Sequence, residues 1–261
     1  MRQTRHVPVL PGPRARALLV LWNPDATLRE VAAVVAVDPA MTAQVLRAAN
    51  SVLSAPVDRI STAHDAVVRL GFDTVKRLIE AAVIESQFRD LEGLPLDADE
   101  AWRYSLACAI LAEALADEAL APLAFTAGLL HDIGRLALIL ESPSRYRAVI
   151  RAVVAGIDQL RAEHDQFATT HAVVGAEIAR AWHLPEPIAD AAMHHHEQGQ
   201  AGITEAVSIA RATALVAGYS EGLGVQVPAQ AAESGLAVLA TLGGPRGLGQ
   251  RIRWYCEALA T

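Results

Sequence analysis

The sequence predicts an all-α fold, and three observations carry that expectation. No stretch of any length alternates polar and apolar residues with the period of two that a half-buried strand needs. Apolar residues recur instead at helical spacing, often directly after residues that cap helices. Hydrophobic residues make up 52% of the 261 residues while aromatics make up only 5%, with alanine, leucine and valine prominent. Small and straight-chain apolar residues of this kind suit close-packed helices.

Val7 to Pro13 reads as an extended entry marked by Pro8, Pro11 and Pro13, and Arg14 to Trp22 as a short helix broken by Asn23-Pro24-Asp25. Thr27 with Glu30 makes a capping box ahead of Leu28, Val31, Val34 and Val35. Asp38-Pro39 places an N-cap before a proline at the first helical position, and that helix ends near Asn50-Ser51. Helix termination, more than ligand binding, explains Asn50 and Ser51. A loop over Pro56 to Ile60 leads to a short helix capped by Ser61 or Thr62 and closed by Gly71. Asp73 then caps a helix with Val75, Leu78, Ile79, Ala82 and Val83 on one face.

Asp90 to Asp99, with Gly93 and Pro95, reads as the sub-domain boundary. A long helix follows from Asp99 to about Leu115, and Pro122 leads into a helix bearing His131 and Asp132. Ser142-Pro143-Ser144 restarts the chain. Further helices are predicted over Asp158–Gln166, His171–Trp182, Pro185–His196 and Ile203–Tyr219. Beyond Val225, helices over Pro228–Leu242 and Leu248–Leu259 are separated by Gly243-Gly244-Pro245, within a glycine-rich run that reads as a flexible connector.

Composition narrows the function. The formal charge of −7 argues against a broad nucleic-acid-binding face. Two distant cysteines, Cys108 and Cys256, make no disulfide framework and fit a reducing cytoplasm. No uninterrupted apolar run approaches the roughly 20 residues of a membrane span, and no signal-peptide pattern follows Met1. The phosphate-binding GxxxxGK[ST], the nucleophile motif GxSxG and paired-cysteine zinc sites are absent.

The densest chemistry lies in Gly128-Leu129-Leu130-His131-Asp132-Ile133-Gly134-Arg135. Adjacent His131 and Asp132 bring an imidazole and a carboxylate to one point, a donor set for a divalent cation. Gly128 and Gly134 would let neighbouring backbone approach closely. Alone, such a pair is more often explained by hydrogen bonds within a helix packing layer. Downstream, His171 opens one helix and His194-His195-His196-Glu197 ends another, so imidazoles and a carboxylate on separate helices form a candidate metal constellation.

GLLHDIG over 128–134, then His171-Ala-Val-Val-Gly-Ala, Trp182-His-Leu-Pro-Glu-Pro-Ile and His194-His-His-Glu together resemble the HD superfamily of metal-dependent phosphohydrolases. Val37-Asp38-Pro39-Ala40-Met41, Ala48-Ala49-Asn50-Ser51 and Ala66-Val67-Val68-Arg69-Leu70-Gly71 are similar to the amino-terminal half of the HDOD family, the HD-related output domain of bacterial signalling proteins. The resemblance covers residues 7–219, as an amino-terminal helical half over 7–90 and an HD-like half over 99–219, with 225–261 as a helical extension. It implies a multi-helix bundle around a degenerate HD core.

It also implies a candidate ligand set: His131, Asp132, His171, His195 and His196, holding at most a single iron, manganese or zinc ion. His194 flanks this set, and His64, His164 and His183 take no part. Where catalytic relatives carry two further ligands, a histidine and an aspartate, this chain has Tyr104 and Arg211. Tyrosine with a pKa near 10 ligates poorly, and arginine does not ligate at all. Unit charges ~4 Å apart at an effective dielectric of about 20 interact by roughly 4 kcal/mol, and a dication would be repelled by about twice that. An Arg211–Asp132 ion pair in place of one metal is therefore expected. Arg135 could neutralise a phosphate, the Gly-Tyr-Pro motif of cyclic-dinucleotide phosphodiesterases is missing, and Ala168 stands where the pattern has glycine. The implied function is a non-catalytic, cytoplasmic regulatory module of bacterial signal transduction, with a signalling protein or small ligand as partner. The alternative is a residual phosphohydrolase acting on nucleotides or cyclic dinucleotides.

Overall fold

Caps legible in the sequence set the first helices of the computed structural model, which describes residues 20–23, 25–51, 59–88, 94–197, 199–223 and 232–259. The entry over 7–13, most of the helix expected over 14–22, the start of the loop at Pro56, the start of the boundary at Asp90 and the start of the tail helix at Pro228 lie outside these residues. Among the described residues there is no strand. The chain divides into two compact units: residues 20–86 with 249–259, the amino-terminal unit, and residues 87–248, the histidine unit.

In the amino-terminal unit, α1 (Leu28–Ala36) starts at Thr27, whose hydroxyl accepts from Glu30 N at 3.3 Å while Thr27 N donates to the Glu30 carboxylate at 2.7 Å. Helix α2 (Pro39–Ala49) is capped by Asp38 Oδ1, which accepts from Ala40 N at 2.8 Å and Met41 N at 3.1 Å. Thr62, the second of the two candidates, caps α3 (Ala63–Leu70) through Asp65 N, and Gly71 closes it at φ 77°. Helix α4 (Phe72–Phe88) buries the expected face of Val75, Leu78, Ile79, Ala82 and Val83. Full burial of each large aliphatic chain contributes about 1.5–3 kcal/mol.

The histidine unit is built around α5 (Ala98–Leu115), which is buried continuously from Tyr104 to Ala112, as a helix surrounded by others must be. Against it lies α6 (Ala121–Leu130), so close at Gly128 that a Cβ there would come within 2.7 Å of the Cys108 carbonyl oxygen. The expected helix through His131 and Asp132 is interrupted at that pair: α6 ends at His131, and α7 (Ile133–Glu141) begins after Asp132. Residues Ala121–Glu141 contain a window with mean hydropathy 1.5, enough by composition to cross a membrane, yet 78% of that window is buried in this protein.

Helices α8 (Pro143–Val154), α9 (Gln159–Phe167), α10 (His171–Ala181), α11 (Glu186–His194) and α12 (Gly202–Val216) complete the surroundings of the site, and α13 (Glu233–Thr241) follows. The last helix, α14 (Gly244–Leu259), starts earlier than expected because Pro245 sits in its first turn, where a proline lacking N–H is tolerated. Gly244 and Pro245 thus belong to the helix and do not form a connector.

Two close points invite mutation. A Cβ at Gly134 would overlap the carbonyl oxygen of His171 and the backbone of Gly175, so α7 and α10 can touch only through glycine. Gly134→Ala is expected to cost the upper part of the ~1–3 kcal/mol typical of overpacking, as a lowered denaturation midpoint. Ala168 ends α9 in the left-handed region at φ 55°, and its side chain is exposed. Here glycine would remove the clash between Cβ and carbonyl oxygen, so Ala168→Gly is expected to stabilise the protein by about 1 kcal/mol in urea unfolding.

Candidate metal centre

The break between α6 and α7 points His131 and Asp132 into the middle of the histidine unit. His131 Nδ1 lies 2.8 Å from Gly128 O, and its ring is fully buried. Helix α10 contributes His171 from its first position. The Glu163 carboxylate of α9 holds this residue twice: it accepts from His171 N at 2.7 Å and lies 2.7 Å from Nδ1. Glu163 thereby also caps the positive end of α10. Tyr146 OH and Gln159 Nε2 donate to the same carboxylate at 2.9 and 3.2 Å. His195 follows α11, with Nδ1 2.9 Å from Ala192 O and its own carbonyl accepting from Ser208 of α12 at 3.0 Å.

These contacts fix the tautomers. With oxygen acceptors on Nδ1, His171 and His195 carry their ordinary proton there and turn Nε2 inward, the orientation that outer hydrogen bonds impose on ligating histidines. His171 Nε2 lies 3.3 Å from His195 Nε2 and 2.9 Å from His196 Nε2. Asp132 Oδ1 is 3.2 Å from His171 Nε2 and 3.4 Å from His195 Nε2. The donor atoms of Asp132, His171, His195 and His196 all lie within 4.8 Å of one another. Inward lone pairs this close require a cation among them, a divalent ion or a proton, and neither Asp132 oxygen has a hydrogen-bond partner of good geometry. The donor set therefore fits one borderline metal ion.

His131, the fifth candidate, adjoins this group without joining it. Its Nε2 is 3.4 Å from Asp132 Oδ2, and its ring stands 5.0 Å from that of His195. His194 turns away to Glu197 at 2.9 Å.

The opposite side of Asp132 carries guanidinium groups. Arg135, one turn along α7, lies 3.0 Å from Asp132 Oδ2 and 3.0 Å from Glu221 Oε2. Arg211 faces Glu221 at 3.5 Å, and Tyr104 OH donates to Glu221 at 3.4 Å. The expected Arg211–Asp132 pair is thus replaced: Arg135 reaches Asp132 locally, while Glu221 takes Arg211. Glu163 and Glu221 were not singled out in the sequence. Glu163 is one of several charged residues in the helix predicted over Asp158–Gln166, and Glu221 lies just beyond the stretch of resemblance.

Burial and these pairs set the protonation. Desolvation works against the charge on His171, but Glu163 and Asp132 raise it to about 9. Desolvation pushes Glu163 up, and His171 brings it down to about 2. Burial lowers His131 and His195 to about 4 and drives His196 far down. Asp132 is opposed by its own burial, yet Arg135 and His131 hold it well below the carboxylate range. Burial pushes the Tyr104 phenol far up, so it offers no phenolate ligand. Three carboxylates, Asp132, Glu163 and Glu221, thus meet three cations, Arg135, Arg211 and protonated His171. Beside them, lined by Tyr104, Asp132, Arg135, Leu136 and Glu221, is a cavity of about 20 Å³, the room of a single water.

Comparison with known proteins agrees with the motifs. The HDOD domain model matches residues 7–198. An uncharacterised Treponema pallidum (strain Nichols) protein is 25% identical over 203 residues, 73% of this chain and 37% of the relative, so the chain spans little more than a third of that protein. The crystal structure of an HDOD domain protein from Geobacter sulfurreducens is similar with a TM-score of 0.72 and 27% identity over 97% of this chain and 91% of that one. A candidate phosphohydrolase from Shewanella amazonensis SB2B gives 0.73 and 26% over 97% and 93%. A candidate signal transduction protein from Marinobacter aquaeolei VT8 gives 0.70 and 25% over 100% of this chain and 61% of that one. With most of its length matched by one family model and its histidine motifs gathered at one centre, the chain belongs to the HDOD domain family.

Proposed function

We propose that this chain is a non-catalytic signal-transduction module that acts through a protein or small-ligand partner. The observation that carries this reading is the inward placement of Arg211 and Tyr104 on Glu221, beside a cavity of about 20 Å³. Two-metal hydrolysis needs a second cation beside the first and space for a phosphoester. In this reading the guanidinium charge of Arg135 and Arg211 takes the place of the second cation, and the cavity has room for no more than a single water. Asp132, His171, His195 and His196 would hold one iron, manganese or zinc ion. Such an ion would supply Lewis-acid charge, and in this reading its role is to fix α10, α11 and the α6–α7 junction.

The residual-phosphohydrolase reading draws on the same four donors and on similarity to a candidate phosphohydrolase. Hydrolysis of bis(p-nitrophenyl) phosphate and cyclic dinucleotides, with manganese, ferrous iron or zinc added, separates the two. No turnover above the protein-free rate is expected. Turnover that disappears in Asp132→Asn would establish the enzyme instead.

A further inference from the structure

The amino-terminal unit contains a pocket of about 900 Å³ between α2, the 59–61 segment and the end of α14. This size is in the range of small-molecule sites. None of the histidine cluster lines it. We propose that this pocket binds a nucleotide.

The lining carries the chemistry such a ligand needs. Arg59 and Arg253 are exposed and have no ion-pair partner among the described residues. Two unneutralised guanidiniums at one pocket, in a chain of net charge −7, form a local anion site. Arg47 is committed elsewhere: it donates to the carbonyls of Glu257 and Ala258 at 3.3 and 3.5 Å, covering the negative end of α14. Trp254 forms part of the wall. Its indole N–H donates to Ser51 Oγ at 3.0 Å and its ring meets that of Tyr255 at a steep angle, centroids 4.9 Å apart, which fixes the indole at the pocket wall, where a planar base can stack on it.

The Glu257 carboxylate is the third element. It disfavours an acidic peptide and can accept from ribose hydroxyls or a base amino group. Asn50 keeps the pocket open: its amide donates to Leu46 O and Ile60 O, both at 2.8 Å, and its oxygen accepts from Ile60 N at 2.9 Å. Phosphate, ring and hydroxyl recognition together describe a nucleotide better than a simple anion.

The test is isothermal titration of the full chain with AMP, GMP, CMP and UMP, and separately with inorganic pyrophosphate. Saturable binding of at least one nucleotide is expected, with pyrophosphate at least about tenfold weaker, one hydrogen-bonded or stacked group being worth about that factor. Arg59→Glu and Arg253→Glu should each weaken the nucleotide by about tenfold or more. Both side chains are exposed, so melting should be unchanged. Arg151→Glu, the same charge change at an exposed site of the histidine unit, should leave binding unaltered. Nucleotide binding insensitive to Arg59→Glu and Arg253→Glu would overturn the assignment. So would pyrophosphate binding as tightly as the nucleotides, or no nucleotide binding up to about 1 mM, the weak end of specific affinity.

Discussion

Replacing Glu163 by alanine is expected to destabilise the protein by about 3–5 kcal/mol, the range for removing one partner of a buried charge pair. Its carboxylate is fully buried and receives His171 N, His171 Nδ1, Tyr146 OH and Gln159 Nε2. The alanine variant leaves all four donors in a dry interior. Glu163→Gln retains an acceptor and should cost less. Urea unfolding of chelated protein measures both.

The same pair gives a pH signature in chelated protein. The folded Glu163 carboxyl, at about 2, lies below its ordinary 4.5, so its contribution is present above 4.5 and is lost as pH falls towards 2. The folded His171, at about 9, lies above its ordinary 6.5, so its contribution is complete below 6.5 and is lost as pH rises through 9. The two limbs describe one interaction. The contribution of this pair should therefore be flat between 4.5 and 6.5 and fall on both sides. Below 6.5 the buried neutral His131, His195 and His196 add a loss of their own, so Glu163→Gln should flatten the limb above 6.5 and only lessen the acid one. Wild-type stability that keeps rising from pH 6.5 to 9 would contradict the pairing.

The second large effect is at Arg135. Arg135→Ala is expected to cost about 3–5 kcal/mol without metal, because Asp132 and Glu221 are left as buried carboxylates without their shared cation. A divalent ion at the histidine cluster would return positive charge to Asp132. Manganese should therefore raise the melting temperature of Arg135→Ala more than that of the wild type, through binding to the folded state. An equal or smaller shift in the variant would mean that Arg135 and a metal do not share the task of neutralising Asp132.

The legible parts of the fold were the local ones. Thr27 with Glu30, Asp38 with Pro39, and Thr62 each mark a helix start through contacts within a few residues, and each cap is present. The buried face of α4 followed from spacing alone. The break at His131–Asp132 was not legible, since apolar residues continue on both sides and only the surrounding helices bend the chain there. The candidate ligands were visible because they occur in dense motifs. Their supports were not: Glu163 meets His171 across a helix junction, and Glu221 reaches Arg135 from far along the chain. An ordinary glutamate acquires such a role only from tertiary placement. For the same reason the sequence offered Asp132 as the partner of Arg211, when a nearer carboxylate takes it.

The most direct test is the metal stoichiometry of tag-free full chain, purified without chelator and titrated with manganese, iron or zinc under native mass spectrometry. Saturation at no more than one ion per chain is the expected result, with none retained in Asp132→Asn. Two ions per chain would mean that Arg211 and Tyr104 leave the second position open, and would contradict the closed, non-catalytic site.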